Sequence, residues 1–305
     1  MPGIVEFPTI VERAAQQFGA VFANAPERRH FAEYLTGLLV AAKKNVSGIN
    51  AEFAETTDQS CLNRWITEVA WDEVELNLKR LAWLQQDPQT RYDESGVIPI
   101  DNTLVSHDGK LIEDVGYFWD HAEERYKIAH DYLIANYVCR SGKHYALEFR
   151  RFRKQADCEA KRAELNARVG GCDAASEKER RLATFKNHTL LYGISRRRFR
   201  CRRSTTQCGW RFSDLTGTAR SQPRFWRPIK RTGRSHECCA VTGSALAGTE
   251  TLHRDGKQHL GLGDCQMRSG EGQTRHIYLV LLAHSLLIVS DQVLCSAEHN
   301  TCYAQ

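Results

Sequence analysis

Between Ser195 and Arg234 the chain carries twelve Arg and one Lys against a single acid, Asp214, a net charge of +12. The whole chain of 305 residues has a net charge of only +5, so the other 265 residues carry −7. The texture of this block extends from about 193 to 247 and is dense in Ser, Thr, Gly, Cys and Trp. It has neither a helical nor an alternating apolar period. Like charge at that density, without apolar periodicity, supplies no core and predicts poor order. Any fold must therefore be built from the chain on either side of it.

The first ninety residues read as helices. Ile10, Val11, Ala14, Phe18 and Val21 recur at helical spacing within 7–23, and Phe31, Tyr34, Leu35, Leu38 and Leu39 repeat the pattern within 28–44. Asp58 opens a third helix through Trp65, and a fourth runs from Trp71 to Gln86 with Asp72 as its cap. Residues 1–94 are expected to form an all-helical N-terminal domain, a type that often binds DNA. The texture then changes. Val97 to Asp101 predicts a short strand, with Pro99 marking a strand start or an edge. Further strands are predicted within 111–119, 131–138 and 144–152, and a long charged helix within 155–181. Order returns at Gly248 with a helix over 250–260 and an apolar one over 273–289. Strands followed by helices give an α/β (α+β) class for residues 95–290, with 291–305 as a tail.

The longest apolar stretch, Ile277 to Val289, is 13 residues and contains His284, which is too short to span a bilayer. Glu6, Glu12 and Arg13 interrupt any leader-like run, so no secretory signal is expected and the 11 cysteines should be reduced. Cys201, Cys208, His236 and Cys239 match no common zinc spacing.

Two carboxylates stand out by position. Asp101 closes the apolar run Val97-Ile-Pro-Ile, and Glu250 opens the polar segment Glu-Thr-Leu-His-Arg-Asp-Gly-Lys257, where Glu250, Arg254 and Lys257 share one helical face. Taken singly, each reads as an ordinary surface acid. Their surroundings say more. Asp101-Asn-Thr, Asp108-Gly-Lys110 and Val115-Gly116 resemble the first catalytic block of DDE-type insertion-sequence transposases. Glu250, Lys257 and Gln258-His-Leu-Gly261 resemble the third block, and Asp58 to Trp65 resembles the family's helical domain.

The resemblance implies a ribonuclease-H-like mixed sheet with flanking helices. It implies phosphodiester hydrolysis and strand transfer at transposon ends with two Mg²⁺ or Mn²⁺ ions held by three carboxylates. Asp101 and Glu250 would be catalytic metal ligands, while Lys257 and Arg254 would contact DNA phosphate. The partners implied are transposon-end and target DNA, with a homodimer on the DNA and no membrane. The setting implied is the prokaryotic cytoplasm, associated with the nucleoid.

Two features of that pattern are missing. No strand-borne Asp lies between the two blocks, so the second catalytic Asp has no assigned residue. The Tyr and Arg that precede the family's Glu are replaced by Gly243 and Leu246. Both losses fall within 193–247, which is how a segment read out of frame would look. CGN arginine codons read one base later begin with G and encode Asp, Glu, Val, Ala or Gly. Codons for Ala240 to Ala245 can spell Arg-Tyr-Arg-Gln-Arg in another frame. The competing readings are a genuine basic nucleic-acid-binding segment in a non-catalytic transposase remnant, and a metal-dependent nuclease of the same superfamily.

Overall fold

The computed structural model describes residues 3–93, 96–109, 111–139, 141–153, 159 and 248–302, with side chains to 290. Residues 3–149 and 248–302 belong to one compact unit, and 150–153 and 159 to a second. Residue 159 apart, the segments 155–181 and 193–247, with Asp214 and the cysteine–histidine set, lie outside the described residues, as does Lys110.

Five helices open the first unit: α1 (Thr9–Phe18), α2 (Ala25–Val40), α3 (Val46–Ala51), α4 (Gln59–Thr67) and α5 (Glu73–Leu84). Their starts are fixed by side chains that accept the unpaired N–H groups of the first turn. Asn24 accepts from Glu27 N at 2.9 Å, while the Glu27 carboxylate accepts from Ala23 N and from the Asn24 amide. This reciprocal cap starts α2 at Ala25, three residues before the start read from the apolar period alone. Asp58 and Asp72 cap α4 and α5, Asp72 accepting from both Val74 N and Glu75 N.

Four strands follow: β1 (Ile100–Ser106), β2 (Gly116–Asp120), β3 (Arg125–Val138) and β4 (His144–Arg151). The long β3 is the spine, pairing antiparallel with β1 and β2 and also with β4. Two helices complete the described residues, α6 (248–258) and α7 (Gly270–Cys302). The result is an α+β fold, an antiparallel sheet with flanking helices, consistent with a ribonuclease-H-like domain. Among the described residues the sheet has no parallel strand of the kind a mixed sheet would add.

The register corrects the expectation for Asp101. Asp101 pairs with Ile134 near the start of β1, and the strand continues to Ser106 rather than ending at the carboxylate. The ladder reaches back to Val97, which exchanges hydrogen bonds with Val138, but Pro99 only accepts, from Asn136 N at 3.0 Å. Proline has no N–H to return, so regular pairing begins after it. The alternating pattern of a strand lies in Asn102 to Ser106, where Thr103 and Val105 turn inward.

Residues α1 to α4, the inward face of the sheet and α7 share one core: Phe18, Phe31, Leu35, Trp65, Val105, Tyr132, Ile134, Leu252 and Leu279 are all within it. The stretch Ile277 to Ala283 is buried on every side, which accounts for the 13-residue apolar run. No helix among the described residues is long and apolar enough to cross a membrane.

Two buried arginines tie this core together. Arg80 on α5 donates to Asn77 Oδ1, to Ser285 Oγ on α7 and to the Ala146 carbonyl on β4. Burial pulls its pKa down to about 10, so the guanidinium stays charged at neutral pH. Arg275 on α7 donates to the carbonyls of Ile66 and Trp71, pairs with Glu271 at 2.7 Å and Glu73 at 3.4 Å, and lies 4.8 Å from the Trp71 ring centroid.

Candidate active site

Alternation along β1 and β3 sorts their residues between two faces. Asp101, Thr103 and Val105 share a face with Ile134 and Tyr132 by direct pairing, and Asn136 and Val138 continue it. Helix α6 lies against this face. A Cβ on Gly248 would meet Val138 Cγ2 at 2.9 Å and His144 Cβ at 3.1 Å, so glycine permits the close approach. Leu252 then enters the shared core. One residue on, His253 Nδ1 comes to 4.0 Å from Asp101 Oδ2.

The Asp101 side chain is 54% exposed. Its Oδ1 accepts the N–H of Asn102 at 2.9 Å. His253 is only 15% exposed, and its Nε2 is buried with no hydrogen-bond partner among the described residues. Burial lowers the His253 pKa, Asp101 opposes that shift and Lys257 adds to it. Asn136 is fully buried, and neither atom of its amide has a hydrogen-bond partner among the described residues. Its register position lies between Ile134, which pairs with Asp101, and Val138, which Gly248 touches.

Glu250 is exposed on α6, one turn before His253. Arg254 is also exposed and pairs with its neighbour Asp255 at 3.2 Å. Lys257, two turns after Glu250, has its pKa lowered by burial of the amine, with Asp120 raising it and Lys127 lowering it. The amine thus sits within electrostatic reach of the β2–β3 end of the sheet. Gly261 closes the segment in a left-handed conformation (φ 68), and its carbonyl accepts from His276 Nε2 at 2.8 Å. Glycine is the residue that adopts this backbone without strain.

The sheet and α6 therefore bring Asp101 beside the helix that carries Glu250, Arg254 and Lys257. Among the described residues no group of three or more His, Cys, Asp and Glu is gathered to hold a metal. The two candidate carboxylates present hard oxygen donors of the kind that suit Mg²⁺ or Mn²⁺, but they are two where three are expected. Sequence reasoning missed His253 and Asn136. His253 stood three residues after Glu250 on the same helical face, a signal that was available. Asn136 was the one polar interruption in Tyr132 to Val138.

A family model described as DDE superfamily endonuclease matches residues 17–190, more than half of the chain. The chain belongs to that family. Membership makes it a nuclease or transposase by class, with DNA as the class of substrate. Asp101 falls inside the matched span, whereas Glu250, Arg254 and Lys257 fall beyond it. No curated protein matches the chain.

Proposed function

We propose that the chain is an insertion-sequence transposase by descent, with Asp101 and Glu250 as two of three metal-holding carboxylates. The observation that carries this reading is the packing of α6 on the Asp101 face of the sheet, at His253 Nδ1 to Asp101 Oδ2 4.0 Å. A third-block helix returning from far along the chain to the first-block strand is what the resemblance requires.

In this reading Asp101 and Glu250 would hold Mg²⁺ or Mn²⁺, which when bound activates the attacking oxygen and stabilises the leaving one. The protein's own contribution is placement. β1 fixes the Asp101 backbone through its ladder with β3, and Leu252 anchors α6 so that Glu250 projects outward. Lys257 and Arg254 follow on the same exposed face, where a DNA phosphate would meet positive charge; such contacts position DNA without reading its bases. A homodimer on paired ends is part of the proposal.

The family match stops at 190, three residues before the basic block, and this supports the reading that 193–247 is out of frame. The nucleotide sequence tests it: the idea fails if neither alternative frame restores a strand-borne Asp and a Tyr seven residues before Glu250. With two carboxylates the centre would be impaired, which favours the second reading, a DNA-binding remnant. A strand-transfer assay on paired ends with Mg²⁺ or Mn²⁺ separates the classes. The transposase cuts and joins, a nuclease cuts without joining, and the remnant binds without cutting.

A further inference from the structure

We propose that His253 is a positioning residue for Asp101, donating from Nδ1 to hold the carboxylate in the orientation that receives a divalent cation. The proposal rests on the reading of Asp101 as a metal-holding group. Two independent observations lead to it. His253 Nδ1 stands 4.0 Å from Asp101 Oδ2, about 1 Å beyond hydrogen-bond range. Its other nitrogen, Nε2, is buried and has no hydrogen-bond partner among the described residues.

A neutral imidazole carries one N–H. On Nε2 that proton would sit in a buried spot with nothing to accept it, and the Nδ1 lone pair would face a carboxylate. On Nδ1 it faces the carboxylate as a donor, and only a lone pair is left unmatched. The second arrangement is favoured on both counts. Oδ1 of Asp101 already accepts the Asn102 N–H at 2.9 Å, and a shift of about 1 Å that brings Nδ1–H of His253 onto Oδ2 would restrain the carboxylate from a second side. The exposed half of the carboxylate keeps lone pairs directed to solvent, where a cation arrives.

The fully buried Asn136 amide, also without a partner among the described residues, lies on the same face of the sheet. Donors that orient a ligating carboxylate typically contribute 10- to 100-fold in metal affinity.

The test is Mn²⁺ binding by the full chain, read from the free-ion electron paramagnetic resonance signal. H253L is expected to weaken binding about 10- to 100-fold without shifting the melting temperature by more than a few degrees. H253N, whose amide N–H stands in place of Nδ1–H, is expected to recover most of that loss. Binding by H253L at the wild-type level overturns the proposal, as does H253N remaining as weak as H253L. D101N separates the layers. Undiminished Mn²⁺ binding in D101N overturns the reading of Asp101 itself, whereas loss in D101N with none in H253L overturns only the role of His253.

Discussion

The two arginine clamps and the floor of the candidate site treat buried polar groups in opposite ways. Around Arg80 and Arg275, carbonyls, Ser285, Asn77, Glu73 and Glu271 supply acceptors for the guanidinium groups. On the Asp101 face of the sheet, the Asn136 amide and His253 Nε2 are buried with none among the described residues. Both regions lie in the same unit, and α7 and β3 run through it. An unpaired buried polar group costs about 1–3 kcal/mol, so a stable fold retains one only where another demand outweighs it. The clamp guanidinium groups have their acceptors, whereas the face beneath α6 leaves the Asn136 amide and His253 Nε2 unmatched among the described residues.

Four measurements break or sharpen that contrast. The largest effect is expected at the clamp. R275M leaves two carboxylates and two carbonyls facing an apolar side chain and should cost about 3–5 kcal/mol in urea unfolding. A loss below about 1 kcal/mol would mean that the clamp is not what holds α7 to α4 and α5.

His276 comes next. Its Nε2 faces the Gly261 carbonyl and its Nδ1 faces the Tyr34 hydroxyl, so the neutral ring donates from Nε2 and accepts at Nδ1. Burial, the largest cause, pulls its pKa down to about 4. The unfolded chain, with histidine near 6.5, therefore binds more protons between those values. Stability should fall as pH drops from 6.5 to 4, by about 3 kcal/mol from this residue, and H276Q should flatten the slope.

At the site floor the sign reverses. N136L removes an unmatched amide and should stabilise the protein by about 1–3 kcal/mol; destabilisation would mean that the amide has a partner and that the contrast is false. The smallest effect is at a cap, where D72A should cost about 1 kcal/mol, measured as a drop in melting temperature.

What could be read from the sequence follows from how far each signal reaches along the chain. Asp72 capping α5 and the apolar run of α7 are local, and both were visible. The N-terminal half of β3, Arg125 to His130, was not, because it carries no alternation: burial there rises from the exposed Arg125 and Tyr126 through Lys127 and Ile128 to the buried Ala129 and His130. β1 was placed too early because Pro99 and the apolar residues before Asp101 drew attention from the alternating Asn102 to Ser106. Asp101 and Glu250 were each marked by their local wording. Their association through α6 depends on β1–β3 register and on the approach at Gly248, which no local pattern encodes. The unmatched amide of Asn136 and Nε2 of His253 are properties of packing and became visible only in the fold.

The central claim is that Asp101 and Glu250 face one cation. Iron-directed cleavage reads this directly: Fe²⁺ with ascorbate and peroxide replaces the bound cation and cuts backbone within a few ångströms. The account predicts two clusters of cuts, one flanking 101 and one flanking 250, both suppressed by excess Mg²⁺ and both lost in D101N. Cuts at only one of the two, or a pattern that D101N leaves unchanged, would contradict it.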